Sequence, residues 1–221
     1  MPKSDTKPAH SYVDGPPRQV PGFAGLHRMT NLLLAERVPA AGRVLVLGAG
    51  GGLELKAFAD FVAGWTFDGV DPSADMLDIA RQTIADHADR VTLHHGYVDA
   101  APEGPFNGAT CLLTFHFVPR EQRLETLRQI RRRLAPGAPF IVAHISIAEA
   151  DRATWLDRHI RFGASDGIDA AQVAKSREVM ETRLTILSPE EDEAMLREAG
   201  FVGVSLFYAA FSFRGWVGYP S

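Results

Sequence analysis

Apolar positions first fall into a helical rhythm. Leu26, Met29, Leu33 and Val38 share one stripe after Phe23, and Pro39 stops the run, so the spacing predicts a helix over 23–38. The period then changes. Arg43-Val-Leu-Val-Leu47 is a continuous apolar run ending in glycines, as expected of a strand buried on both faces. Residues 54–62 return to the helical period, and 65–70 form a second strand ending at Asp71. Ser73 caps a helix that runs to about His87, with Met76, Leu77, Ala80 and Ile84 inward. Further strands are expected over 90–95, 109–115 and 140–146, with a helix over 120–134 closed by Ala135-Pro136-Gly137.

Residues 148–183 break this alternation. They are helical in composition and carry the small-residue loop Gly163-Ala-Ser-Asp-Gly167, which marks a helical insertion covering the end of the sheet. Ser188-Pro189-Glu190-Glu191 then opens a helix that ends at Gly200. Segments 202–210 and 212–219 read as a tightly joined antiparallel pair. Strands alternating with helices predict an α/β fold: a mostly parallel, seven-stranded sheet with helices on both faces and a C-terminal antiparallel hairpin.

The chain has 221 residues, enough for one domain with a full core. Residues 1–17 are rich in proline and poor in apolar side chains and are expected to be flexible, leaving 18–221 as the folded domain. No stretch is long and apolar enough to span a bilayer, and the N-terminus lacks the apolar block of a signal peptide. The single Cys111 excludes a disulfide framework and lies in an apolar strand, where it is expected to be inert. A net charge of −4 disfavours a broad nucleic-acid surface. These features lead us to expect a cytoplasmic enzyme or small-ligand binder.

The first strand ends in Leu47-Gly48-Ala49-Gly50-Gly51-Gly52, where ligands of open α/β sheets bind. Asp71 ends the second strand, about 20 residues beyond the first glycine, which suits an acid that holds both ribose hydroxyls of a nucleoside. A dinucleotide fingerprint would require a small residue where the bulky Leu53 stands.

The spacing Gly48-x-Gly50-x-Gly52 resembles the first motif of class I S-adenosylmethionine (SAM) methyltransferases. Further segments extend the resemblance: Gly96-Tyr97-Val98-Asp99 after strand three, Thr114-Phe115-His116-Phe117 after strand four, Leu134-Ala135-Pro136-Gly137, and Ala199-Gly200-Phe201 before the last hairpin. It implies a Rossmann-like class I methyltransferase fold. Within that superfamily the chain is similar to the carboxy-SAM synthases and their unassigned relatives, through Arg18-Gln19-Val20-Pro21-Gly22-Phe23, Lys175-Ser176-Arg177 and the aromatic stretch 207–213. Val46 departs from the superfamily, which usually has an acid there, and Phe23 and Thr114 stand where the subgroup has Tyr and Asn.

The resemblance implies SAM, S-adenosylhomocysteine or carboxy-SAM as the bound species. It implies contacts from Phe23, Gly48, Ala49, Gly50, Asp71, Pro72, Met76, Tyr97, Val98, Asp99 and Thr114. Arg177 would meet the extra carboxylate of carboxy-SAM, for which a planar guanidinium is suited. His116, His144 and His159 are candidate bases, and Trp155 and Phe162 candidates for an acceptor pocket. His94-His95 has no ligand-spaced partner, so no metal is expected. Three functions follow: methyl transfer to a small-molecule acceptor, carboxy-SAM synthesis or use in tRNA wobble uridine modification, or non-catalytic SAM binding. The subgroup resemblance also implies a homodimer.

Overall fold

The computed structural model of the chain describes residues 14–164 and 167–221. Seven strands, β1 (Arg43–Leu47), β2 (Thr66–Asp71), β3 (Val91–His95), β4 (Gly108–Leu112), β5 (Phe140–Ile145), β6 (Phe201–Ala210) and β7 (Phe213–Pro220), form one sheet. Their order is β3-β2-β1-β4-β5-β7-β6. The first five are parallel, and β7 runs antiparallel to both β5 and β6, as the sequence predicts.

The described helices are α1 (Gly15–Gln19), α2 (Phe23–Ala35), α3 (Leu53–Phe61), α4 (Ala74–Thr83), α5 (Arg120–Arg133), α6 (Arg152–Gly163), α7 (Ala170–Arg183) and α8 (Pro189–Glu198). Two cores lie on opposite sides of the sheet because successive strand residues point to opposite faces. Val44 and Val46 meet Leu26, Leu34 and Phe58 from α2 and α3 on one side. Leu45 and Leu47 meet the side carrying Leu127, Ile130 and Leu196 from α5 and α8.

Caps expected from sequence are in place. The Ser73 hydroxyl accepts the amide of Met76 at the start of α4. Ser188 and Glu191 exchange hydrogen bonds at the start of α8, closing a capping box.

Several boundaries differ from the expected ones. β4 stops at Leu112 instead of Phe115, because Leu113 adopts a left-handed φ of 58° and the chain leaves the sheet in a 3-10 turn over Phe115–Phe117. α4 gives way after Thr83 to a 3-10 turn at Ala85–His87. Within the stretch expected to be flexible, residues 1–13 lie outside the described residues, while Gly15–Gln19 form α1, with proline at its start. The insertion over 148–183 is the helical pair α6 and α7. Ser165 and Asp166 of its small-residue loop lie outside the described residues.

Candidate active site

The sheet order reverses between β1 and β4, so the connections after these strands diverge and leave a crevice at their carboxyl ends. The glycine turn lines it. Gly48 and Ala49 donate their amides to Val70 O on β2, at 2.8 and 3.0 Å. Gly48 has φ +76°, and a Cβ there would fall 2.2 Å from the Thr114 hydroxyl oxygen. Gly52 has φ +83°, and its Cβ would fall 3.0 Å from Ala80 Cα on α4. Both positions combine a backbone that favours glycine with a close neighbour.

Above this turn lies a cavity of about 1030 Å³. The glycine turn, Leu53, Glu54, Met76 and Ile79 form one side; Leu112, Leu113, Thr114 and His116 come from the end of β4. His159, Ile160, Ser176 and Met180 come from the insertion, Leu184 from the residue that follows it, and Gly15, Pro16, Gln19, Phe23 and His27 from the N-terminal helices.

Burial sets the charge state of the lining. The Glu54 carboxyl is pushed up to about 8, an effect the hydrogen bond from the Thr110 hydroxyl only partly offsets. His27 is pushed down to about 4 by burial, and its ring lies 4.4 Å from that of Phe23. Burial holds His116 well below the usual imidazole range, helped by His144, Arg123 and His159. His159 is also lowered by burial. At neutral pH all three lining imidazoles are therefore neutral.

Hydrogen bonds orient two of them. His116 Nδ1 accepts the Ile145 amide at 3.3 Å, which puts the ring proton on Nε2. His159 Nδ1 lies 3.0 Å from the Ser212 hydroxyl.

Of the residues singled out from sequence, Phe23, Gly48, Ala49, Gly50, Met76, Thr114, His116 and His159 converge on this cavity. Asp71 sits behind the turn: Oδ2 accepts the Gly50 amide at 2.8 Å, and Oδ1 the Ser73 amide at 2.9 Å. Pro72, Tyr97, Val98 and Asp99 fall outside the described lining; Tyr97 is 71% exposed, whereas Val98 packs in the core. Arg177 also falls outside it and pairs with Asp157 on α6 at 2.8 Å.

His144 points to the opposite face from Ile145, its lining neighbour on β5, and its Nε2 lies 3.1 Å from Asp192 Oδ2. Trp155 and Phe162 pack near Phe211 rather than along the described lining. Cys111 is buried, with its thiol pushed up. His94 pairs with Asp68 at 2.7 Å, and among the described residues no metal-ligand cluster occurs. His27 and Glu54 were not foreseen. Their signals were available: His27 follows Phe23 by one helical turn, and Glu54 is the first acid after the glycines.

A glycine turn at the switch point, an acid closing β2 and an antiparallel last hairpin define a Rossmann-like methyltransferase architecture. Residues 44–137 match the family described as a methyltransferase domain. It is 24% identical over 221 residues to a carboxy-S-adenosyl-L-methionine synthase of Chromohalobacter salexigens, covering 97% of this chain and 82% of the relative. It is 26% identical over 219 residues to the enzyme of that name from Glaesserella parasuis, covering 96% of this chain and 91% of the relative. Among solved structures, an O-methyltransferase family protein from Burkholderia thailandensis superposes with a TM-score of 0.68 at 15% identity, over 99% of this chain and 61% of that one. Domain, fold and relatives together support a SAM-dependent methyltransferase.

Proposed function

We propose that this chain transfers the methyl group of SAM to an uncharged small-molecule acceptor. The observation that carries the reading is the inner lining of the switch-point cavity: glycine backbone, apolar side chains, neutral histidines and the protonated Glu54 carboxyl, with Asp75 exposed at its rim. Its volume suits a nucleoside with a small acceptor beside it. SAM is supported by the glycine turn that lines the cavity and by the Asp71 carboxylate that ends β2 behind it, the place of a ribose-binding acid in sheets of this kind.

Bound SAM supplies a methyl group already activated by its sulfonium. The chain then has to align the acceptor with that methyl and exclude water. Phe23, Met180, Leu184 and Phe213 supply the apolar walls. His116 offers its Nε2–H as a donor, while the neutral His159 is suited to take a proton from an acceptor hydroxyl. Asp71 holds the ribose as well as the Gly50 amide, since a carboxylate accepts several hydrogen bonds.

Carboxy-SAM as the bound species is supported by the names of the relatives. The Arg177–Asp157 pair and a described lining that holds two acids and no arginine or lysine favour SAM. A cytoplasmic location is supported by the free, buried Cys111. A homodimer is supported by the exposed Val202 and Leu206 on the edge strand β6.

Mass spectrometry of nucleosides that co-purify with the protein, together with calorimetric titration of SAM, tests the reading. We expect SAM or S-adenosylhomocysteine, and an Arg177→Ala variant that binds SAM within twofold of wild type. Recovery of carboxy-SAM alone, displaced by Arg177→Ala, would replace it with the synthase reading.

A further inference from the structure

A ligand with net positive charge meets a problem in this cavity. The histidines are neutral, the walls apolar, and a cation moved there from water loses much of its solvation. A compensating anion is needed within the cavity. Among the described lining residues two are acids, and Asp75 is exposed at the start of α4. Glu54 is the other. It is 7% exposed and sits in the first turn of α3, two residues after Gly52.

Its surroundings hold no established counter-charge. Thr110 on β4 donates its hydroxyl to Oε1. Cys111, the next residue on β4, is a neutral thiol. His27, on the neighbouring helix α2, is neutral. Asp71 is committed to the Gly50 and Ser73 amides. On α3 itself, Lys56 is bound to Asp60 at 2.8 Å and is partly exposed. Val46 on β1 is paired with Thr110 and is apolar. Among the described residues, none supplies this desolvated carboxyl with a cation.

We propose that Glu54 is the cavity's counter-ion, the carboxylate that meets the positive charge of the sulfonium nucleoside. The inference rests on the SAM reading above. In the free protein Glu54 keeps its proton up to about pH 8. A bound cation favours the ionised form, so binding below that pH expels one proton. Affinity should then rise about tenfold per pH unit from 6.5 towards 8 and level off above it.

Calorimetric titration of SAM into the full-length protein, repeated in buffers of different ionisation enthalpy, measures the proton count. For wild type we expect release of close to one proton at pH 6.5 and of much less at pH 9. Glu54→Gln, which is close in shape and neutral, should release none, bind at least tenfold more weakly than wild type at pH 8.5 and show a flat pH profile. SAM binding to wild type with no net proton exchange would overturn the proposal even if the variant failed to fold. Loss of SAM binding altogether, in folded wild-type protein, would remove the SAM reading and this inference with it.

Discussion

The Asp71 carboxylate grips the glycine turn from behind, its Oδ2 2.8 Å from the Gly50 amide. The residue that closes β2 thereby fixes the backbone conformation of the loop that follows β1. Replacing it with alanine removes this restraint and, under the SAM reading, the ribose contact. We expect Asp71→Ala to raise the dissociation constant of SAM or S-adenosylhomocysteine at least tenfold; an unchanged constant in a titration would sink the assignment.

The turn also depends on Gly52. Alanine there must hold a φ of +83° with its Cβ 3.0 Å from Ala80 Cα. Strain of this kind costs about 1–3 kcal/mol, and a chain of this length loses about 2–4 °C per kcal/mol. Thermal unfolding of Gly52→Ala should show a drop in Tm of several degrees and weaker SAM binding, whereas Gly25→Ala, in the helical backbone of α2 with open space around its Cβ, should shift Tm much less.

Buried titratable groups of opposite preference shape the pH dependence of stability. His27, His116 and His159 ionise near 6.5 in the unfolded chain but are held neutral in the fold, so stability falls as pH drops below 6.5. Glu54 loses its proton near 4.5 when unfolded but near 8 when folded, so its contribution falls as pH rises between these values. Three histidines outweigh one carboxyl below 6.5, and the carboxyl alone acts above it. The Tm of the ligand-free protein should peak at about pH 7, and Glu54→Gln should flatten the decline towards pH 8. A wild-type Tm that climbs steadily from pH 6.5 to 8.5 would contradict this balance.

On the far side of the sheet, Asp192 accepts from Arg123 Nη1 at 3.0 Å, and both side chains are buried. Arg123 also donates to Val118 O and Thr185 O, the latter next to the strand of contacts that reaches His116. Asp192→Ala leaves the guanidinium without its anion and should cost about 3–5 kcal/mol. Denaturant unfolding checks this, and Arg123→Met combined with Asp192→Leu should recover most of the loss. A single variant as stable as wild type would mean that the pair is solvated.

How far this arrangement was legible in the sequence depends on which signal each residue leaves. The bounds of β1, the Ser73 cap and the Ser188–Glu191 box were readable because local chemistry dictates them. β5 is buried on both faces, so its apolar pattern holds no clue that Ile145 faces the cavity and His144 does not. Glu54 reads as an ordinary acid in a first helical turn, where the helix dipole favours it; only tertiary packing reveals its burial. The prolines Pro16 and Pro17 suggest a mobile segment, yet they also suit the first turn of α1. Leu113 carries no composition signal for its left-handed backbone, since leucine rarely adopts it.

The cavity is closed by parts of the chain that are far apart. The side that carries the glycine turn is built from residues 48–79, and the facing wall from α1, α2, α6 and α7. This division separates two evolutionary pressures. Changes that refit the wall to a new acceptor can fall on α1, α6 and α7 and leave the glycine turn untouched, whereas α2 is held by the core contacts of Leu26 and Leu34 with β1.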